Sequence, residues 1–158
     1  MLSAQEPITY ETERGKPTPS ANHAVVQAYL TAAFLRFDDK YSILPELSLE
    51  LGGVPSVPDI SVYPKLDLDL RHDRIKMTEP PLLTVEILSP TQSLDDLIRK
   101  AYDYLEAGVP SCWVVQPILQ SIVVLSPGEK PAIYSSGDVT DAGTGITVNV
   151  EEIFRSFH

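Results

Sequence analysis

Between residues 19 and 158 the chain alternates two kinds of hydrophobic spacing, and the spacing predicts the elements. In "PSANHAVVQAYLTAAFLRF", residues 19–37, Val26, Leu30, Ala33, Phe34 and Phe37 recur at helical intervals, and Ser20 stands where a helix cap is expected. Next, "YSILPELSLEL" alternates, with Ile43, Leu47, Leu49 and Leu51 against Glu46, Ser48 and Glu50; it reads as one bent or edge strand interrupted by Pro45. A Gly52–Gly53 turn leads to a second strand, "VPDISVYP" at 57–64. The third, "LLTVEIL" at 82–88, is the most apolar.

"SLDDLIRKAYDYLEAG", residues 93–108, reads as a helix with both ends marked. Ser93 and Asp96 have capping-box spacing, Asp95 and Asp96 suit the positive helix end, and Gly108 suits a stop. Two strands follow, "SCWVVQP" and "SIVVLS", joined by a turn near "PILQ". After them come "AIYSS", a Gly/Asp-rich loop, "GITVNV" and a terminal helical turn in "VEEIFRSF". Helix, three strands, helix and two strands predict an α/β architecture: a mixed β-sheet flanked by α-helices.

The length of 158 residues predicts a single domain spanning 1–158. No stretch approaches the roughly 18 apolar residues of a membrane span, and the amino terminus lacks the pattern of a secretory or transit signal, so a cytoplasmic protein without membrane partners is expected. Cys112 is the only cysteine; it excludes an intrachain disulfide or a cysteine-cage zinc site, and in "SCWVV" it is expected to pack in the core. The net charge of −10 weighs against tight nonspecific binding of a polyanion. "RHDRIK", residues 71–76, is the local exception, a basic segment expected in a solvated connection between strands.

Chemistry concentrates in the strands. Alternation puts Glu86 with Leu82, Thr84 and Leu88, and puts Asp59 with Val57, Ser61 and Tyr63. If the two strands are neighbours with these faces matched, Asp59 and Glu86 converge. Two such carboxylates repel unless a cation sits between them, and hard oxygen donors of this kind suit Mg²⁺ or Mn²⁺ better than zinc. Lys100, in the helix after the Glu86 strand, is placed to position an attacking water, with Tyr104 one turn further on the same face. The alternative for Lys100 is an exposed pair with Asp96 or Asp103. Glu46 is read as a solvated strand position or a third acidic ligand, Glu11 as a solvated residue or an outer-shell group, and His23 as a helix cap or surface residue, with a catalytic base as the alternative.

These segments resemble the Uma2 family, formerly a domain of unknown function and abundant in cyanobacteria, within the PD-(D/E)XK nuclease superfamily. The resemblance covers most of the chain. It rests on Pro58-Asp59, on Val85-Glu86-Ile87-Leu88-Ser89-Pro90, on Lys100 with Tyr104, on Gly108-Val109, and on Trp113 through Pro117. Upstream, Glu11 and Gly15 in "YETERG" and His23 in "PSANH" resemble further family segments. Leu88 stands where the superfamily's usual lysine lies, so the family pattern passes that role to Lys100; the family's "VDP" is replaced by Gln116-Pro117.

The resemblance implies a restriction-endonuclease-like core and a Mg²⁺-dependent (or Mn²⁺-dependent) endonuclease acting on DNA. Asp59, Glu86 and the Ile87 carbonyl would bind the metal, and Lys100 would orient the water. A second expectation keeps the fold without the chemistry: an inactive homodimeric interaction or regulatory module. A third is hydrolysis of another phosphate ester.

Overall fold

The computed structural model describes residues 18–158; the Glu11 and Gly15 positions lie outside them. Helix α1, Ala21–Phe34, starts at Ser20, whose hydroxyl accepts from the His23 N–H at 3.2 Å, and runs into a 3₁₀ turn at Leu35–Phe37. The strands follow as β1 Tyr41–Pro45, β2 Leu49–Leu51, β3 Val54–Ser56, β4 Ile60–Pro64 and β5 Leu83–Ile87. Helix α2, Leu94–Glu106, connects β5 to β6, Cys112–Gln116; β7 is Ser121–Leu125 and β8 Ala132–Tyr134. β9, Asp138–Thr140, β10, Thr147–Asn149, and the short α3, Val150–Ile153, complete the chain.

One six-stranded sheet carries the architecture, in the order β1-β4-β5-β6-β7-β8. Only β5 and β6 are parallel, as the crossover through α2 requires; the other neighbours are antiparallel. Every residue of β5 and β6 is buried, because apolar layers cover both faces. On one face Val26, Leu30 and Phe34 of α1 meet Val62, Val85 and Trp113, with Val148 and Ile153 closing the layer. On the other, Leu97, Ala101 and Tyr104 of α2 meet Tyr63 and Val114, together with Leu49 and Leu51.

The α2 signals appear as expected. Ser93 accepts from the Asp96 N–H, and Gly108 takes φ +103°, a conformation that favours glycine. Two expectations require correction. Residues 41–51 are not one strand: β1 ends at Pro45, Glu46 adopts φ +57°, and β2 turns away to pair with β3 as a separate hairpin. Ile43 accordingly packs toward the α1 layer while Leu49 and Leu51 enter the α2 layer. The apparent alternation joined two segments across a backbone reversal that resets the period. The Gly/Asp-rich stretch also contains a strand, β9, paired with β10; between them the Asp141 carboxylate accepts from the N–H and hydroxyl of Thr144.

Segment 71–76 is exposed in the β4–β5 connection, as expected, and its charge is locally offset. His72 and Arg71 meet Asp69 at 2.9 and 3.5 Å, and Lys76 meets Glu50 at 2.8 Å. The His72 hydrogen bond holds the Asp69 carboxyl below its usual range. Among the described residues no helix is long and apolar enough to cross a membrane.

Phe34 is fully buried and meets the Trp113 ring edge-on, centroids 5.5 Å apart. Phe34→Ala is expected to cost about 3–5 kcal/mol, read as a lower urea midpoint at unchanged slope. Cys112 is buried with the Thr84 hydroxyl on its sulfur, and burial pushes its thiol up to about 12. It should resist a disulfide reagent at pH 8 until the protein unfolds. Because the folded thiol keeps its proton to higher pH than the unfolded one, its contribution is complete below the ordinary thiol range and is lost as pH rises toward 12. Burial likewise raises Tyr63 to about 12, so Cys112→Ala should lessen, without abolishing, the alkaline decline in the urea midpoint.

Candidate functional site

One end of the central sheet collects the polar residues. Pro45 pairs with Ile60, and Ile60 with Val85, so one step beyond the ladders Glu46, Asp59 and Glu86 fall in a row across β1, β4 and β5. Asp59 and Glu86 are 1% and 2% exposed, so each carboxylate needs internal partners. The two are held from different layers.

Glu86 belongs to the α2 side. Its Oε1 accepts from the Tyr104 hydroxyl at 2.9 Å and faces the Lys100 Nζ at 3.0 Å. Lys100 and Tyr104 are one helical turn apart, which is why α2 presents both to the same oxygen. Lys100 also lies 5.9 Å from the centre of the Tyr104 ring. Burial, then the charge of Glu86, pushes the Tyr104 hydroxyl well above its ordinary range, so it stays protonated and donates. The exposed pairing considered for Lys100 is not the one adopted; Asp96 instead faces Arg99 at 3.7 Å.

Asp59 belongs to the strand end and the α1 side. It precedes β4, outside the regular ladder, and its Oδ2 accepts from the Ile87 N–H at 2.7 Å, taking the place of a backbone ladder partner. The same oxygen lies 3.1 Å from the His23 Nε2. His23 is 2% exposed, neither a surface residue nor a side-chain cap. Its position three residues after Ser20 gave its backbone to the cap and turned its ring inward.

Gln27 was not singled out by sequence. Its Nε2 donates to the Asp59 carbonyl at 3.0 Å and to Glu46 Oε1 at 3.2 Å. The readable signal was its place one turn after His23 on α1. Glu46 is a partly buried partner of Gln27, and its N–H donates to the Asp59 carbonyl at 3.2 Å. Gln116, at the family's acidic position, is buried with its amide 3.3 Å from the Ser121 hydroxyl. Beside Lys100 and Tyr104 a cavity of about 510 Å³ opens between α2 and the β2–β3 hairpin, walled by Leu51, Val54, Pro55 and Ser56.

Asp59, Glu86 and the Ile87 carbonyl are hard oxygen donors of the kind a divalent cation takes, though the two carboxylates are held from opposite layers. Two carboxylates stand at facing register positions, and the Ile87 carbonyl leaves β5 on the same edge as the N–H that reaches Asp59. Among the described residues no three His, Cys, Asp or Glu side chains form a metal cage.

A mixed sheet flanked by helices, with its acidic end fed by β4, β5 and α2, defines a restriction-endonuclease-like fold. The sequence profile of the Uma2 family, described as "Putative restriction endonuclease", matches residues 8–155, and the chain belongs to that family. Among solved structures it is similar to "a putative nuclease belonging to DUF820" from Anabaena variabilis, with TM-score 0.79 and 21% identity over 88% of this chain and 83% of that one. A looser likeness is to the DrdV–DNA complex, with TM-score 0.45 and 16% identity over 85% of this chain and 11% of that one. No curated protein matches.

Removing Lys100 leaves the Glu86 charge without its ammonium. Lys100→Met is expected to destabilise by about 1–3 kcal/mol, an amount limited by the partial exposure of Lys100, and adding Glu86→Gln should recover most of it. A denaturant double-mutant cycle measures this; additive losses would mean the pair is uncoupled.

Proposed function

We propose that the chain is a metal-dependent endonuclease that hydrolyses DNA phosphodiester bonds. Asp59, Glu86 and the Ile87 carbonyl would hold Mg²⁺ or Mn²⁺, which when bound supplies Lewis acidity and lowers the pKa of a coordinated water. The supporting observation is the meeting of Lys100 with Glu86 at 3.0 Å, with Glu86 facing Asp59 one register step beyond the Ile60–Val85 pair.

Lys100 has the chemistry to orient the attacking water through an N–H donor and to offset charge gathering on the phosphate in flight. Its partial exposure, 29% of the side chain, lets it reach a group arriving from solvent while staying paired with Glu86. Tyr104, kept protonated, fixes Glu86 Oε1. Membership of a family described as "Putative restriction endonuclease" supports the reaction class. With a net charge of −10, DNA affinity is expected to be weak and to fall steeply with salt.

A second reading keeps the fold as an inactive homodimeric interaction module. The acidic balance favours it, as does the pairing of Arg71, His72 and Lys76 with neighbouring acids. Divalent binding separates the two.

The test is Asp59→Asn, which removes the charge while keeping an oxygen for the Ile87 N–H. Alanine would strand that buried donor, at a cost of about 1–3 kcal/mol. Mg²⁺-dependent nicking of plasmid DNA should fall by at least about 100-fold, with the melting temperature nearly unchanged. Undiminished nicking by Asp59→Asn would sink the assignment; a parent that neither nicks DNA nor binds Mn²⁺ in calorimetry would establish the inactive module.

A further inference from the structure

Residue 59 is gripped at both of its oxygen-bearing groups by one helix. Its carboxylate Oδ2 meets the His23 Nε2 at 3.1 Å, and its carbonyl accepts from the Gln27 Nε2 at 3.0 Å. His23 and Gln27 are one turn apart on α1, so a single helical face supplies both contacts. That helix is rigidly seated, because Val26, Leu30 and Phe34 between and beyond them are fully buried against the sheet. Gln27 also reaches Glu46 Oε1 at 3.2 Å, and the Glu46 N–H returns to the Asp59 carbonyl.

The imidazole itself shows which contact matters. An ionised Asp59 carboxylate accepts only, and with it the proton in the His23–Asp59 bond sits on Nε2. The other nitrogen, Nδ1, is buried and has no hydrogen-bond partner among the described residues. A ring serving only to fill space would be replaced by an apolar side chain with less desolvation. The Nε2 bond to Asp59 is therefore the interaction that accounts for a histidine at this position.

We infer that His23 is a positioning residue for Asp59, with Gln27 as its second point of hold: together they orient the Asp59 carboxylate toward a divalent cation. The inference rests on the proposed metal site. Outer partners of this kind fix the direction and basicity of a ligating carboxylate, and losing one costs about 10- to 100-fold in metal affinity. The donor matters rather than the ring, so a side chain with an amide N–H should substitute for it.

Calorimetric titration of the metal-free full chain with Mn²⁺ provides the test, with the melting temperature recorded in parallel. His23→Leu keeps bulk but removes the donor, and its Mn²⁺ affinity should fall by about 10- to 100-fold, while His23→Gln should recover most of the loss. Gln27→Met, which perturbs the core less, should weaken Mn²⁺ several-fold and carries the test if His23→Leu does not fold. Asp59→Asn is the reference. If it loses the Mn²⁺ heat while His23→Leu and Gln27→Met keep the parent affinity, the positioning role is overturned and the metal site stands. If the parent gives no saturable heat, or Asp59→Asn leaves it unchanged, the metal site falls and this role with it.

Discussion

The arrangement of this protein depends on one constraint: a carboxylate cannot lie in the middle of a buried parallel strand unless its charge is met there. Glu86 sits in β5, a strand covered on both faces, and Lys100 with Tyr104 meets it from α2. That requirement ties the register of α2 to β5 as firmly as the packing of Leu97 and Ala101 does. A one-residue rotation of the helix would bury both the leucine and the ammonium in the wrong places.

The same demand is met differently at Asp59. There the β4–β5 ladder has not yet begun, and the carboxylate accepts from the Ile87 N–H in place of a β4 backbone carbonyl. Its second donor comes from the opposite helical layer. Glu86 in β5 and Asp59 just before β4 are thus tethered to different helices, Glu86 to α2 and Asp59 to α1, and the sheet end between them is the seam where the two layers meet. Chemistry placed at such a seam is sensitive to packing on either side. The family relationship supports a nuclease role for the chain, while its strong acidity explains why tight, sequence-independent DNA binding is not expected.

How much was legible in advance differed by residue. Lys100 and Tyr104 could be read as partners on one face from i, i+4 spacing, and Glu86 as a residue needing a cation from its apolar surroundings. His23 could be noticed but not placed: its nearness to a capping serine fits a surface histidine equally well, and only the approach of α1 to the strand end put its ring on Asp59. Gln27 carried no signal beyond its spacing from His23. The false continuity of residues 41–51 had a similar cause, since alternation is a local property and the positive φ at Glu46 is set by the contacts around it, including its N–H bond to Asp59.

By itself the sequence determined whatever short-range physics governs: the capped and stopped α2, the buried β5 and β6, the helical face of α1 and the hairpin turn after Pro117. Periodicity and capping act over a few residues, and no distant contact overrides them here. Tertiary structure alone decided which oxygen of which acid each donor would meet, where the chain would reverse at Glu46, and that β9 would form against β10. The contacts between acids and donors join residues 14 to 36 positions apart, the reversal at Glu46 depends on a backbone sign that side-chain type does not encode, and β9 gains its strand form only by pairing with β10.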